Sequence, residues 1–158
     1  MVTTGSPRSA QDNAKVEAAL LALFRDLPFN RHIGVQFLSA QENAIQARIE
    51  MQPHLVGSPG RLHGGVIASV LDALGGLAMV VGIVGRHPHD TVEQVMHRFA
   101  RLGTIDLRVD YLRQGIGQHF VAEAEITRLG GRIGSALMRM HNDQGQLIAT
   151  AAAAYVVS

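Results

Sequence analysis

Apolar residues recur every three or four positions between Asn13 and Leu27, which is the spacing of one buried helix face. This periodicity predicts an amphipathic helix that Asp12 or Asn13 caps and that ends before Pro28. Residues 1–12 are polar and contain no long apolar run, so we expect a flexible N-terminal arm and no secretory signal. The apolar positions of the predicted helix are Val16, Leu20, Leu23, Phe24 and Leu27.

Three later segments alternate between apolar and polar residues, which is the pattern of a strand with one buried face. In the clearest of them, the odd-numbered positions 105–111 are apolar and the even-numbered positions 106–110 are charged. The alanine-rich end of the chain has helix propensity, but the turn before it and the residues after it favour a strand. We expect the last four strands to form a meander. The strands are predicted at 33–39, 44–51, 104–112, 118–128, 133–141 and 146–157.

One long apolar segment, Gly64 to Val84, contains a single charged residue, Asp72. Its length would allow a membrane span, which needs about 20 apolar residues. Its glycines and its central carboxylate oppose this, because an Asp at mid-bilayer costs roughly 2.5–3.5 kcal/mol. We therefore expect a helix that begins near His63 and is buried inside the protein. A linker with a short helix around 90–100 should follow it.

The predicted helices and strands are segregated along the chain, which is typical of an α+β domain with a largely antiparallel sheet. A length of 158 residues and 47% hydrophobic residues suit one domain, which we place at 13–158. The net charge of +1 is too low for a general nucleic-acid binder. The chain has no cysteine, which excludes disulfides, thiolate metal sites and cysteine nucleophiles.

A histidine-rich segment raises the question of a metal site. Two histidines flank Pro88, and Glu93 lies four residues before His97, on the same face of the predicted short helix. No pattern fixes the two pairs together, and unpatterned histidine-rich surface segments carry only a compositional signal. We expect no metal and no cofactor. The residues concerned are His87, His89, Asp90, Glu93 and His97.

Asp72 is the residue whose position most needs an explanation. A carboxylate in an apolar helix is costly unless it has a task or a polar partner, so it is either functional or held at a buried polar contact or dimer interface. His63-Gly64-Gly65 opens the same helix, where free backbone N–H groups can stabilise negative charge. Gly64 and Asp72 are roughly 12 Å apart along the helix axis. One helix needs a bent first turn, or a second subunit, to bring both to one small centre.

Three features together resemble the hotdog-fold thioesterase superfamily, and most of all its phenylacetyl-CoA thioesterase-like branch. They are Leu62-His63-Gly64-Gly65, the acid nine residues after the histidine, and the segment from Thr104 to Arg113. The resemblance runs from about Pro28 to the C-terminus. It implies a long central helix wrapped by a curved antiparallel sheet, to which this chain adds an N-terminal helix. It also implies a homodimer or dimer of dimers with active sites at the dimer interface.

The resemblance implies a cytoplasmic acyl-CoA thioesterase with no membrane span. Asp72 would be the general base or nucleophile, the Gly64 N–H would hold the oxyanion, and His63 with Gly65 would order the loop. The low aromatic content, 4%, favours an aliphatic acyl pocket. Its expected lining is Leu71, Leu74, Met79 and the alanines near Ala151. The candidates for binding coenzyme A are Arg128 and Arg132 at a hairpin, with Arg61 and Arg113 as rivals.

The chain departs from the family pattern at two positions. Many relatives have Asn or Gln six residues before the histidine, where this chain has Gly57, and Ser58 is a candidate stand-in. Some relatives have a hydroxyl one turn after the acid, where this chain has Gly76. These losses leave a second hypothesis open, a non-catalytic domain that binds or senses acyl-CoA. A dehydratase is a weaker third, because it would need a catalytic histidine paired with a carboxylate.

Overall fold

The computed structural model describes residues 7–41 and 44–158. It has four α-helices and eight strands within these residues, and the predicted α+β class is confirmed. The helices are α1 (Ala10–Asp26), α2 (Pro28–Ile33), α3 (Gly64–Arg86) and α4 (Val92–Phe99), with a 3-10 turn at Pro53–Leu55. The strands are β1 (Gln36–Gln41), β2 (Ala44–Glu50), β3 (Val56–Ser58), β4 (Arg61–Leu62), β5 (Gly103–Tyr111), β6 (His119–Leu129), β7 (Ile133–Asn142) and β8 (Leu147–Val156).

A curved antiparallel sheet of six strands wraps the long helix α3, as predicted. The strand order is β1-β2-β6-β7-β8-β5, and β3 and β4 form a separate ribbon. The alanines of β8 alternate between buried and less buried positions, so the alanine-rich segment is a strand as expected. The predicted four-strand meander is wrong in one connection. β5 pairs with β8 at the sheet edge, and of these last four strands only β6, β7 and β8 follow one another as neighbours.

Helix α3 has the length and apolar composition of a membrane span, but the sheet packs against it. Leu71, Leu74 and Leu77 are completely buried in the core. At Gly75, any side chain would collide with the hydroxyl group of Tyr155, so the glycine lets the sheet approach closely. Helix α3 is therefore a buried core helix, as expected.

The N-terminal region differs from the prediction at two points. Helix α1 begins at Ala10, because Ser9 and not Asp12 or Asn13 is the N-cap, with its side chain accepting from the Asp12 amide. Residues 10–12 therefore belong to a helix and not to the arm expected at 1–12, of which residues 1–6 lie outside the described part. Arg8 donates to the Val84 carbonyl at 2.8 Å, which ties this end to α3.

The second difference is helix α2, which the sequence analysis missed. Pro28 does not merely stop α1, because proline is also favoured at the first position of a helix, where its missing N–H costs nothing. Asn30 is buried and donates from its side chain to the Phe24 carbonyl at 2.8 Å, which fixes the turn between the helices. Gly34, with φ of 73°, ends α2, so the first strand begins at Gln36 and not at Ile33.

Candidate active site

The first turn of α3 is built around His63. Its Nδ1 accepts a hydrogen bond of 2.9 Å from the Gly65 amide, so the histidine serves as the N-cap. A Cβ on Gly65 would lie 2.9 Å from the same Nδ1, so a side chain there would displace the ring. Tyr111 on β5 donates to the Gly64 carbonyl at 2.8 Å. Within the described residues, no group accepts from the Gly64 amide, which leaves it available to an anion.

A cavity of about 610 Å3 opens beside this turn. Its walls come from the β3–β4 ribbon, the start of α3 and the residues that follow β5. His63 and Gly64 line it together with three of the predicted substrate-binding residues, Ser58, Arg61 and Arg113. Two arginines beside the available Gly64 amide make this cavity suited to anionic groups.

Asp72 lies on a different face of α3, half-buried. Its Oδ1 accepts a hydrogen bond of 2.9 Å from Thr104 Oγ1 on β5. The Tyr155 hydroxyl, on β8, donates to the Asp72 carbonyl at 3.2 Å. Burial, together with the charge of the Asp72 carboxylate, raises the pKa of Tyr155 well above its ordinary value. Tyr155 is therefore a neutral donor that fixes this turn of the helix against the sheet.

Thr104 reaches Asp72 through an irregularity in β5. Thr104 pairs with Tyr155 and Asp106 pairs with Ala154, so Ile105 is an extra residue in the ladder. The bulge moves Thr104 to the inner face, whereas strict alternation places it with the charged, outward positions. Asp106 Oδ1 accepts from the Ala154 amide at 3.0 Å, beside the interruption.

A second cavity, of about 280 Å3, contains Asp72. Its other walls are Phe24, Leu27, Phe29, Asn30, Ser69 and Ala73. His63 and Gly64 do not line it, because the helix between them and Asp72 is unbroken. Within one chain, Gly64 and Asp72 therefore line two separate cavities, as the helix geometry predicts.

The chain matches known thioesterases in sequence and in structure. A model of the thioesterase superfamily matches residues 59–149. The medium/long-chain acyl-CoA thioesterase YigI of Escherichia coli K12 is 40% identical over 133 residues, which cover 83% of this chain and 86% of YigI. The chain belongs to the thioesterase superfamily.

Solved structures agree with this assignment. A protein from Shewanella oneidensis related to the thioesterase superfamily superposes with a TM-score of 0.89 at 37% identity, covering 95% of this chain and all of the other. A thioesterase family protein from Silicibacter pomeroyi, 19% identical, shares the fold with a TM-score of 0.70 over 91% of this chain and 96% of its own. The predicted hotdog fold is therefore confirmed.

The thioesterase-family departure at Gly57 has a steric explanation. A Cβ at Gly57 would lie 2.7 Å from His63 Cδ2, so the histidine ring occupies the space that an Asn or Gln side chain would need. Some relatives have a hydroxyl at the position of Gly76. In this chain a hydroxyl from another element, that of Thr104, donates to the Asp72 carboxylate instead. Sequence analysis missed Thr104, Tyr111 and Tyr155, and only the register of the sheet identifies them.

Other predicted residues lie away from the two cavities. Arg128 and Arg132 flank the β6–β7 hairpin and line neither of them, so their role in binding coenzyme A stays a prediction. Leu71 and Met79 are completely buried in the core and do not line the Asp72 cavity, where two phenylalanines stand instead. The expected aliphatic lining is therefore wrong for this cavity.

The histidine-rich segment forms no metal cluster in the part of the chain that the structure describes. Its acidic residue Asp90 instead pairs with Arg98 Nε at 2.6 Å. Thr91 caps α4 through a capping box with Gln94, which explains why a short helix forms here as expected.

Proposed function

We propose that this protein is an acyl-CoA thioesterase, which hydrolyses a thioester to a carboxylic acid and free coenzyme A. The observation that carries the proposal is the Asp72 carboxylate, which Thr104 orients at the edge of an apolar cavity. A carboxylate held in place by a hydrogen bond, next to room for a ligand, is the arrangement of a catalytic base. The name of the E. coli relative supports coenzyme A as the thiol.

We further propose that the functional unit is a homodimer, or a dimer of dimers, with each site shared between two subunits. Strand β5 is an edge strand of the sheet, so its outer backbone groups can pair with another chain. Its apolar residues Ile105 and Tyr111 are 51% and 54% exposed, as is expected of a surface that a second copy covers. Pairing of this kind would supply the second subunit that the distance between Gly64 and Asp72 requires.

In the proposed mechanism, Asp72 removes a proton from a water molecule as the water oxygen bonds to the thioester carbonyl carbon. The Gly64 amide of the partner subunit donates to the carbonyl oxygen, on which negative charge develops. The tetrahedral intermediate then re-forms its C=O bond and breaks the C–S bond. The departing thiolate takes the proton from Asp72, so the products are a carboxylic acid and a thiol.

Asp72 as nucleophile is the alternative. The carboxylate would then attack the carbonyl carbon, expel the thiolate and form an anhydride that water cleaves. A single turnover in water enriched in 18O distinguishes the two, because hydrolysis of the anhydride at the Asp72 carbonyl carbon leaves 18O in the protein. With Asp72 as base, the label appears in the acid product only.

The charged part of coenzyme A is assigned to the cavity of about 610 Å3, with Arg61, Arg113 and Ser58 as contacts. Arg128 and Arg132 stay as a second proposed contact for the nucleotide end. We also propose that residues 13–158 act as one cytoplasmic domain, with α3 as its core helix.

The test is thiol release from a panel of acyl-CoA esters, read with a thiol-reactive dye. The chain has no cysteine and therefore adds no background. We expect turnover in the natural protein, loss of turnover in Asp72→Asn with unchanged circular dichroism, and full turnover in Asp12→Asn, an exposed carboxylate on α1. Saturable binding without release in the natural protein would instead support the acyl-CoA sensing domain.

A further inference from the structure

The cavity at Asp72 is walled mainly by the turn between α1 and α2. Phe24, Leu27 and Phe29 come from this turn, and Ala73 comes from α3. These four side chains are apolar, and they lead to one carboxylate. The cavity is thus an apolar depression of about 280 Å3 with a single reactive group at its edge.

The other polar groups of this wall already have partners. Ser69 Oγ donates to the Gly65 carbonyl at 2.7 Å, and the Asn30 side-chain amide donates to the Phe24 carbonyl at 2.8 Å. None of the residues that line the cavity is a lysine or arginine. A ligand in this cavity contacts apolar side chains and the Asp72 carboxylate. The lining offers no cationic group that could bind a phosphate.

The two cavities therefore differ in the part of an acyl-CoA that each suits. Arg61 and Arg113 line the cavity at His63 and can bind phosphates. The Asp72 cavity suits the apolar acyl chain, with the thioester carbonyl carbon next to the carboxylate. This division follows from charge and polarity in the lining, and it places the acyl chain against the α1–α2 turn.

Two phenylalanines in this wall differ in how firmly they are held. Phe24 is 4% exposed and makes edge-on contacts with Phe37 and Phe99, at centroid distances of 5.9 and 5.1 Å. Phe29 is 56% exposed and lies in the first turn of α2. An exposed ring beside an apolar depression loses unfavourable contact with water when a chain covers it.

We infer that the α1–α2 turn is the acyl-chain subsite of this enzyme and that Phe29 sets its preference for chain length. The inference rests on the proposed function for the position of the reacting carbon. Both helices precede residues 59–149, which match the superfamily model. The acyl preference would therefore be set by a segment outside the residues that this family model matches.

The test measures binding of S-alkyl coenzyme A thioethers, which cannot be hydrolysed, with alkyl chains from methyl to decyl. In the natural protein, we expect affinity to rise by about fourfold for each methylene that contacts the wall, the equivalent of ~0.8 kcal/mol. Phe29→Ala should weaken binding of the decyl compound by about tenfold and leave that of the methyl compound unchanged. Val92→Ala, which truncates a side chain of similar exposure on α4, is the matched control and should change neither.

A second variant fills the cavity from the opposite wall. Ala73→Leu should weaken binding of long chains and spare the methyl compound, because the added side chain occupies the space of the alkyl chain. Chain-length dependence that is identical in the natural protein, Phe29→Ala and Ala73→Leu would overturn the subsite. Failure of the proposed function would give a different result, because the natural protein would then hydrolyse no ester. Binding of the thioethers would still show whether Phe29 contacts the alkyl chain.

Discussion

Thr104 donates to the Asp72 carboxylate at 2.9 Å because strand β5 accommodates Ile105 as one extra residue directly after Thr104. The bulge reverses the face on which Thr104 lies and aims its hydroxyl at α3. One oxygen of the carboxylate is thereby fixed, on a residue that lines the apolar cavity. The orientation of the proposed base thus depends on a local interruption of the sheet.

Thr104→Val should lower kcat by about tenfold to a hundredfold, because hydrogen bonds to charged groups contribute roughly 1.5–3 kcal/mol. The substitution removes the hydroxyl and keeps the shape of the side chain. KM should change little, since Thr104 orients the carboxylate and does not bind the substrate. Thr104→Ser keeps the donor and should retain most of the activity. Equal kcat in the Val and Ser variants would show that the hydrogen bond has no role in turnover.

Gly57→Asn tests whether the family's amide can be restored in this chain. A side chain at position 57 meets the His63 ring at 2.7 Å, so we expect the ring to shift and the cap on Gly65 to weaken. Turnover should fall by about tenfold or more, as for other small misplacements of a catalytic group. Gly57→Ala, which adds only the Cβ, should show most of the same loss. A gain of activity in the Asn variant would instead mean that the loop adapts and that the amide was simply missing.

Much of the fold follows from local pattern, because burial on one face imposes a period of two or 3.6 residues on the sequence. The strands at 44–51 and 118–128 are predicted for this reason. Position 104 could not be assigned to the correct face, since a bulge breaks the alternation without any residue type that marks it. Pro28 was ambiguous in the same way, as proline both ends one helix and begins another.

The two arginine pairs can be compared directly. Arg61→Ala with Arg113→Ala should raise the Kd of coenzyme A by about tenfold at low salt and by less at high salt, because screening weakens exposed ion pairs. Arg128→Ala with Arg132→Ala tests the hairpin in the same titration. Unchanged affinity in the hairpin variant would remove those residues from the site. Because Arg113 also donates to the Leu147 carbonyl, thermal unfolding of each variant is the control for folding.

Mixing of two inactive variants tests the shared site. Asp72→Asn removes the proposed base and His63→Ala removes the cap of the Gly64 turn, so each homodimer should be inactive. When the two are refolded together, we expect about a quarter of the natural turnover, since half of the dimers are mixed and each mixed dimer has one intact site. Mixed samples with no more turnover than the separate variants would place both groups of one site in a single chain.

The raised pKa of Tyr155 predicts how the free energy of unfolding depends on pH in the alkaline range. Burial and the nearby Asp72 charge raise the pKa of Tyr155 in the folded protein, whereas the unfolded chain titrates near the ordinary value of about 10. The folded state then keeps its proton while the unfolded state loses it, so the free energy of unfolding falls as pH rises above about 10. The stabilisation is fully present below that pH.

Tyr155→Phe should remove this alkaline fall, because the variant has no proton to lose at this position. At neutral pH it should be less stable by about 1 kcal/mol, the usual contribution of a hydrogen bond such as the one from Tyr155 to the Asp72 carbonyl. Urea unfolding at pH 7, 9, 10 and 11 measures both effects. The exposed tyrosine, Tyr111, gives the matched variant Tyr111→Phe, which should keep the alkaline fall. Parallel curves for the natural protein and Tyr155→Phe across this range would mean that another group controls the alkaline transition.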